Sequence, residues 1–299
     1  MSLEITVFTP TYNRAYIIGE VYVSLEKQTY KNFEWLVIDD GSSDNTEDVI
    51  KNFIQENKMK IRYIKKENGG QHTALNKAIE LAKGRLFMIV DSDDFLTDNA
   101  LERVIYWEKT IQGKHGYAGV SGLKIHKNGK TIGSEWKNKD AYVDATNFER
   151  KKRNLLGDKA EVYYLSVLKD FYPIPVYQGE NDVEKAVLWN RIANAGLRIR
   201  WFNEGIYVCE YLEDGMTRNI LNNHLKNFQG YTCWKKELVD MQSSYFRVVA
   251  EASAYVEMAK KKGLSVKEMS AGLGRGQGTI LLAKCYYGLH CIKRKLMML

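Results

Sequence analysis

An apolar run ends abruptly in carboxylates in the stretch Met88-Ile89-Val90-Asp91-Ser92-Asp93-Asp94. The apolar part, which begins at Leu86, predicts a strand that is covered on both faces. Clustered carboxylates repel one another unless a cation, a hydrogen-bond network or water compensates their charge. Their oxygens suit Mg²⁺ or Mn²⁺, and these ions commonly stay attached to substrate phosphates. The stretch therefore predicts a metal–diphosphate site at the carboxyl edge of a sheet. The alternative is an Asp-rich turn that caps the next helix.

The chain before this stretch alternates between strand and helix patterns. This βαβαβαβ order predicts a parallel sheet with helices on both faces. Ligands of such sheets bind beyond the carboxyl ends of the strands, where we expect the polar loops Thr9–Asn13, Asp39–Ser43 and Asp91–Asp94. The predicted elements are strands at Ile5–Phe8, Phe33–Ile38 and Ile61–Ile64 and helices at Tyr16–Gln28, Asp44–Glu56 and between Gly70 and Gly84.

The pattern changes near residue 115 to less regular strands, and after Gly215 it becomes predominantly helical. In the first of these regions we expect strands at Ala118–His126, Thr131-Ile132, Ala141–Val143, Arg198–Trp201 and Gly205–Glu210 and helices at Lys159–Asp170 and Val183–Ala195. In the second we expect helices at Asn219–Met241, Tyr245–Lys262, Val266–Leu273 and Ile280–Met297.

Composition describes an ordinary globular chain. The 299 residues are 44% hydrophobic and 12% aromatic, which excludes a disordered protein. The net charge of +7 permits an anionic partner without identifying one. The four cysteines lack paired metal-ligand spacing and fit reduced thiols. With no signal peptide and no apolar run that could span a bilayer, the expected location is cytoplasmic.

Four motifs together resemble, in order and spacing, those of inverting family 2 glycosyltransferases with the GT-A fold. The resemblance covers residues 3–110 well and residues up to about 215 less clearly. It implies an α/β fold with a Rossmann-like, mostly parallel central sheet flanked by helices, followed by a helical C-terminal extension. The motifs are Thr9-Pro10-Thr11-Tyr12-Asn13-Arg14, Gln28-Thr29-Tyr30, Val37-Ile38-Asp39-Asp40-Gly41-Ser42-Ser43-Asp44 and Asp91-Ser92-Asp93-Asp94.

The resemblance also implies a division of the chain. Residues 1–215 would form the catalytic domain, with a nucleotide-sugar-binding half at 1–110 and an acceptor half at 111–215. Residues 216–299 would form a separate helical region.

On the donor side, the resemblance implies a nucleotide-binding set in which Asp40 accepts a hydrogen bond from the base edge, such as uracil N3–H. Other roles stay open: Tyr12 as a packing residue at the sheet edge, Asp39 and Asp40 as helix caps, and the segment from Asn68 to His72 as a helix-entry turn. The implied nucleotide-binding residues are Pro10, Tyr12, Asn13, Asp39, Asp40, Gly70, Asp91 and Ser92.

The Asp-X-Asp motif of the resemblance falls on Asp91, Ser92 and Asp93. Asp93 would bind Mn²⁺ or Mg²⁺ directly, and Asp91 would lie near the ribose and the water shell of the metal. The ion would offset the charge that builds on the departing nucleoside diphosphate. Asp94 would cap the following helix or support the site.

An inverting transferase needs a base that deprotonates the acceptor hydroxyl. The resemblance places a carboxylate four residues before Trp189, but this chain has Lys185 there. We favour Glu184 narrowly over Asp182, and Glu180 also lies close in sequence. A helix N-terminus whose acidic residues are solvated and favoured by the dipole is the alternative.

We therefore expect a metal-dependent inverting glycosyltransferase, hexosyltransferase-like and of the bacterial surface-polysaccharide type. It would move a sugar from a nucleotide-diphosphate donor, for which a UDP-sugar is favoured, to a glycan or lipid-linked acceptor. The alternatives are a catalytically impaired nucleotide-sugar or glycan-binding relative, which Lys185 keeps open, and a sugar nucleotidyltransferase. A first loop without glycine disfavours the latter.

Three other kinds of partner are considered: nucleic acid, a membrane surface and a second subunit. Nucleic acid is not expected, because it would not explain the acidic loop ends. The C-terminal segment Ala271–Leu299 has no Asp or Glu and five Lys or Arg residues, so it could contact the inner face of the membrane peripherally. Packing on the catalytic domain or on a second subunit is the alternative, and an oligomer is left open, as are the sugar and the linkage.

Overall fold

The computed structural model describes residues 3–136, 141–209 and 220–296, with side chains through Gly288. The chain divides into two compact units. The sheet unit comprises Met1–Ile174 and Leu188–Glu213, and the helical unit comprises Pro175–Val187 and Asp214–Leu299.

One nine-stranded sheet organises the described part of the sheet unit, in the order β3-β2-β1-β4-β8-β6-β9-β5, with β7 paired to β9. The first four strands in this order of neighbours, β3, β2, β1 and β4, are parallel. Strand β8 then pairs antiparallel with both β4 and β6, and β6 pairs parallel with β9. The strands are β1 (Ile5–Thr11), β2 (Phe33–Asp39), β3 (Ile61–Lys65), β4 (Leu86–Ile89), β5 (Phe95–Leu96), β6 (Tyr117–His126), β7 (Tyr142–Ala145), β8 (Lys159–Tyr164) and β9 (Arg198–Cys209).

Eleven α-helices and one short 3-10 helix at Asn147–Glu149 complete the described residues. The predicted α/β architecture and its helical C-terminal region are confirmed. The helices are α1 (Gly19–Glu26), α2 (Thr46–Glu56), α3 (Gln71–Leu81), α4 (Ala100–Lys109), α5 (Leu165–Phe171), α6 (Ala186–Asn194), α7 (Ile220–Lys226), α8 (Phe228–Asp240), α9 (Tyr245–Lys261), α10 (Val266–Leu273) and α11 (Gln277–Leu296).

The core of the sheet unit is built on strands that are buried along their whole length. Every residue of β1 and β2 is buried, as expected for parallel strands covered on both faces. Helix α1 buries Val21 and Leu25, one helical turn apart, in the same core. The stacked rings of Tyr22 and Phe53, 4.0 Å apart, join α1 to α2.

The helical unit has a core of its own, centred on Tyr255, Ala252 and Met269. Helix α10 begins with a capping box between Ser265 and Glu268, which satisfies backbone N–H groups that the helix itself leaves unpaired. Among the described residues, no helix is long and apolar enough to cross a membrane.

The helix predicted at Lys159–Asp170 is wrong in its first half. Residues Lys159–Tyr164 form strand β8, and only Leu165–Phe171 are helical. The strand forms because β4 and β6 each offer it a hydrogen-bonding edge. The hydrogen bonds to these two strands outweigh a local sequence pattern that fits the periodicity of a helix as well as that of a strand.

Other boundaries also differ from the prediction, and the helix predicted from Val183 begins at Ala186. The two short strands expected between Arg198 and Glu210 are one strand, β9, whose register with β6 is irregular. The single helix expected from Asn219 is two helices, α7 and α8, separated at the buried Asn227. Residues Glu210 and Asn219, and the end of the last predicted helix at Met297, lie outside the described residues.

Candidate functional site

Three polar loops meet at one edge of the sheet because β1 lies between β2 and β4 and all three strands are parallel. The Asp40 amide donates to the carbonyl of Thr11 over 2.8 Å, just beyond the ends of β1 and β2. The Val90 amide donates to the carbonyl of Phe8, also over 2.8 Å. The loops that the sequence singles out as ligand-binding therefore lie side by side.

Asn13 ties the first loop to the second. Its backbone has a positive φ of 53°, and its Oδ1 accepts from the amide of Ser43 at 2.8 Å. Its own amide donates to Ser42 Oγ at 2.9 Å. Next to it, Tyr12 is 50% exposed and Pro10 is buried within β1. Half of the Tyr12 side chain is thus accessible to a ligand, which disfavours the alternative role as a packing residue at the sheet edge.

Asp39 and Asp40, which are both buried, hold the second loop in shape. Asp39 accepts from the Ser42 amide at 2.7 Å and from the Tyr63 hydroxyl. The carboxylate of Asp40 is more heavily used, as its three donors are the Lys66 ammonium and the amides of two glycines. The two amide contacts are Gly69 N at 3.0 Å and Gly70 N at 2.7 Å.

Among the described residues, these contacts use three of the lone-pair positions of Asp40, whose side chain is 7% exposed. A carboxylate has about four lone-pair positions, so three donors leave one for an N–H on a nucleobase. The two roles considered for Asp40, loop support and base recognition, are thus compatible.

His72 is a buried polar side chain in the first turn of α3, directly after the loop that Asp40 supports. It is 1% exposed. Among the described residues, neither of its ring nitrogens has a hydrogen-bond partner. Burial lowers the pKa of His72 to about 4, so the ring is neutral at neutral pH.

The acidic loop after β4 is held by three side chains from elsewhere in the chain. The Asp91 amide donates to the hydroxyl of Tyr207 at 2.9 Å, and Gln71 Nε2 donates to Asp91 Oδ1 at 3.1 Å. Lys124 Nζ lies 4.0 Å from Asp91 Oδ2. Burial alone would lower the pKa of Lys124, but the charges of Asp91 and other neighbours raise it above its ordinary value.

Burial differs along the acidic loop. Ser92 and Asp94 are buried, whereas Asp91 and Asp93 are half-buried. Burial, followed by the charge of Asp91, raises the pKa of Asp94 to about 6. An added cation would favour the ionised form of these carboxylates.

The side chains of the acidic loop fit a divalent metal bound together with substrate. Within the described parts of the chain, no group of three or more His, Cys, Asp or Glu side chains is arranged to hold an ion. Mg²⁺ is usually held by one or two carboxylates plus substrate phosphates, however, and this needs no third protein ligand. Asp93 and Asp91 offer two such carboxylates at the end of β4.

The base candidates belong to the helical unit. Glu184 Oε1 lies 2.6 Å from Nε2 of His224 on α7. Asp182 pairs with Asn223, the residue before His224. Burial raises the pKa of Asp182, and the hydrogen bond from Asn223 opposes that effect. Both carboxylates are thus engaged by polar side chains of α7, which disfavours the simple solvated helix N-terminus.

Two other side chains of this region have structural partners. Glu180 accepts from the amides of Gln229 at 2.7 Å and Gly230 at 2.8 Å, so it caps the first turn of α8. Arg191 donates to the carbonyls of Phe171 and Pro173, each at 2.9 Å.

The family model described as Glycosyl transferase family 2 matches residues 6–163, which is more than half of the chain. The chain belongs to glycosyl transferase family 2. The resemblance recognised in its motifs is therefore confirmed.

Named relatives share parts of this family 2 chain. It is 28% identical over 168 residues to the GalNAc(5)-diNAcBac-PP-undecaprenol beta-1,3-glucosyltransferase of Campylobacter jejuni, covering 56% of this chain and 52% of that protein. The matches to the first two curated relatives span between 34% and 52% of their length.

Solved structures establish the fold of the family 2 chain. S. aureus TarS 1–349, in complex with UDP-GlcNAc, has a TM-score of 0.62 at 20% identity, covering 87% of this chain and 73% of that one. The mannosyltransferase PcManGT from Pyrobaculum calidifontis, in complex with GDP-Man and Mn²⁺, has a TM-score of 0.57 at 16% identity, covering 96% and 87%. The predicted GT-A fold is confirmed, while the roles of individual site residues stay predictions.

Several residues that contact the predicted site residues went unnoticed in the sequence. Lys124 and Tyr207 meet the acidic loop, Lys66 meets Asp40, and His224 meets Glu184. Lys124 offered one signal, since a lysine within an apolar strand pattern is costly to bury without a partner.

Proposed function

We propose that the chain is a metal-dependent inverting glycosyltransferase that uses a nucleotide-diphosphate sugar, with UDP-sugar as the preferred donor. The observation that carries the proposal is the meeting of three loops at the carboxyl edge of parallel strands. One of them presents Asp39 and Asp40, and another presents Asp91 and Asp93. Ligands of open α/β sheets bind at this edge.

On the donor side, Asp40 would accept from the base edge with its remaining lone pair, and Tyr12 would place its exposed ring against the nucleoside. Uracil carries an N3–H that suits such an acceptor, and the TarS complex contains UDP-GlcNAc. Asp93 and Asp91 would hold Mn²⁺ or Mg²⁺, which supplies Lewis-acid neutralisation of the diphosphate when bound.

On the acceptor side, Glu184 would take the proton from the acceptor hydroxyl, with Asp182 as the alternative base. The oxygen then forms a bond to the anomeric carbon on the face opposite the diphosphate. The bond from that carbon to the diphosphate oxygen breaks, and its electron pair leaves with the nucleoside diphosphate. One displacement of this kind inverts the anomeric configuration.

The acceptor we propose is a glycan or a lipid-linked glycan of a bacterial surface polysaccharide. The Campylobacter relative carries undecaprenol diphosphate in its name, and the acid-free C-terminal segment suits an anionic membrane surface. Flotation with liposomes that contain anionic lipid tests the membrane contact. Binding that is equal with neutral and anionic liposomes, or absent from both, would contradict it.

Turnover of defined donors tests the proposed reaction. The protein is incubated with UDP-GlcNAc, UDP-glucose or GDP-mannose and a panel of glycan acceptors in MnCl₂, MgCl₂ or EDTA, and the released nucleotide is measured. We expect release from a UDP-sugar that requires a divalent ion, and a product of inverted anomeric configuration by NMR. Release that is equal in EDTA would contradict metal dependence, and a retained configuration would contradict the single displacement.

A second candidate function is a nucleotide-sugar-binding relative without transferase activity. Lys185 favours it, because a lysine stands where the resemblance places the catalytic carboxylate. UDP binding without turnover of any donor, with a panel of glycan acceptors present, would support this second function over the first.

A further inference from the structure

Two neighbouring carboxylates of the helical unit meet two neighbouring residues of α7. Asp182 pairs with Asn223, and Glu184 Oε1 lies 2.6 Å from His224 Nε2. An ionised carboxylate can only accept, so Nε2 carries the proton in this bond. At 2.6 Å the contact is a short, charge-assisted hydrogen bond.

The imidazole of His224 is itself held by aromatic rings. Its side chain is 14% exposed. The ring centroid lies 4.7 Å from that of Tyr231 and 6.0 Å from that of Trp234, both on α8. Lys235 Nζ lies 3.9 Å from the Trp234 ring. Packing therefore fixes the direction in which Nε2 donates, which makes His224 a rigid anchor for a longer side chain.

We propose that His224 is the positioning residue of the catalytic base, holding Glu184 by its Oε1 so that Oε2 takes the proton of the acceptor hydroxyl. The inference rests on the proposed function and identifies the residue that orients its catalytic base. A glutamate has three side-chain torsions, and its ordering costs conformational entropy. A hydrogen bond from a fixed donor offsets part of that cost and restricts the carboxylate to one orientation.

The position of Lys185 explains why such support is needed. The carboxylate stands one residue before the place that the family resemblance indicates. Because α6 begins at Ala186, Glu184 precedes the helix, and the regular backbone of the helix does not orient it. A donor from a different helix, α7, supplies the orientation instead.

Two variants of His224 separate positioning from packing. His224→Phe keeps an aromatic ring against Tyr231 and Trp234 but removes the donor, whereas His224→Gln retains an N–H close to the position of Nε2. The readout is kcat and donor KM for UDP release from UDP-GlcNAc and UDP-glucose in MnCl₂, with the panel of glycan acceptors present. For His224→Phe we expect kcat to fall by about 10–100-fold with an unchanged donor KM, as for a misplaced catalytic group. For His224→Gln we expect kcat within about threefold of the unaltered protein.

A double-mutant cycle with Glu184→Gln decides whether the two side chains act as a unit. In that background His224→Phe should lower kcat by less than about twofold, because the carboxylate it orients has already been changed. Asp240→Asn is the matched control, since it alters a carboxylate paired with Arg275 in the same helical unit and should leave kcat unchanged.

The outcomes are distinct. The positioning role would be overturned if His224→Phe kept its full kcat. It would also be overturned if His224→Phe lowered kcat equally with Glu184 present and in the Glu184→Gln background. Either result would leave the transferase proposal intact. Equal losses in His224→Phe and His224→Gln would also overturn the positioning role. Failure of the unaltered protein to turn over any nucleotide-sugar donor, with the panel of glycan acceptors present, would instead overturn the proposed function, and this inference with it.

Discussion

Removing the carboxylate of Asp40 should destabilise the sheet unit and weaken nucleotide binding together. Its two bonds to the amides of Gly69 and Gly70 measure 3.0 and 2.7 Å. Hydrogen bonds to a charged group contribute about 1.5–3 kcal/mol each, so the two amides set a scale of about 3–6 kcal/mol. Both glycines are half-buried, so water would recover part of this. We expect Asp40→Ala to lower the free energy of unfolding by about 2–4 kcal/mol.

Urea denaturation and calorimetric titration with UDP measure the two effects. Lys66→Met is the matched control, because it removes only the third donor, whose side chain is 23% exposed. A partly exposed ion pair contributes about 0–1 kcal/mol, so this variant should be much less destabilised. UDP affinity should fall at least about tenfold in Asp40→Ala, equivalent to about 1.4 kcal/mol. Stability of Asp40→Ala within about 0.5 kcal/mol of the unaltered protein, or an equal cost in Lys66→Met, would refute the reasoning.

Three further predictions concern the other parts of the site. The folded state lowers the pKa of His72 from 6.5 to about 4, so the unfolded chain binds the proton first, and stability present above pH 6.5 should be lost towards pH 4. The unaltered protein should therefore lose on the order of 2–3 kcal/mol of its free energy of unfolding between pH 7 and pH 4.5, and His72→Leu should not show this loss. Urea denaturation with the same pH dependence in both proteins would contradict this. Glu180→Ala should lower the free energy of unfolding by about 1–2 kcal/mol through the lost cap of α8, and thermal unfolding at unchanged temperature would count against the cap. Of the two base candidates, Glu184→Gln should lower kcat for UDP release far more than Asp182→Asn does, with a residual activity that can still be measured; the reverse order would identify Asp182 as the base.

The fold of the first 110 residues could be predicted well from the sequence because the signals there are local. Buried parallel strands are apolar along their length, as at Phe33–Asp39, and the polar residues that follow mark the sheet edge. The prediction for the segment Lys159–Tyr164 was wrong for the opposite reason. It is a strand only because β4 and β6 flank it, and no residue within the segment reports those neighbours.

The same distinction separates the site residues that were predicted from those that were not. Asp40 and Asp93 lie within four residues of the ends of β2 and β4, which the sequence shows, so their place at the edge could be inferred. Tyr207 and Asp91 are 116 positions apart, and His224 and Glu184 are 40 apart. Contacts across such separations are fixed by tertiary packing, and a lone tyrosine or histidine in a helix or strand pattern carries no local signal of its partner.

Calorimetric titration of the protein with UDP, in MnCl₂ and in EDTA, tests the central claim most directly. The account predicts that UDP binds in MnCl₂, that it binds more weakly in EDTA, and that Asp93→Ala removes the difference between the two conditions. The absence of UDP binding in both conditions, or a full Mn²⁺ enhancement in Asp93→Ala, would contradict a metal–diphosphate site at the end of β4.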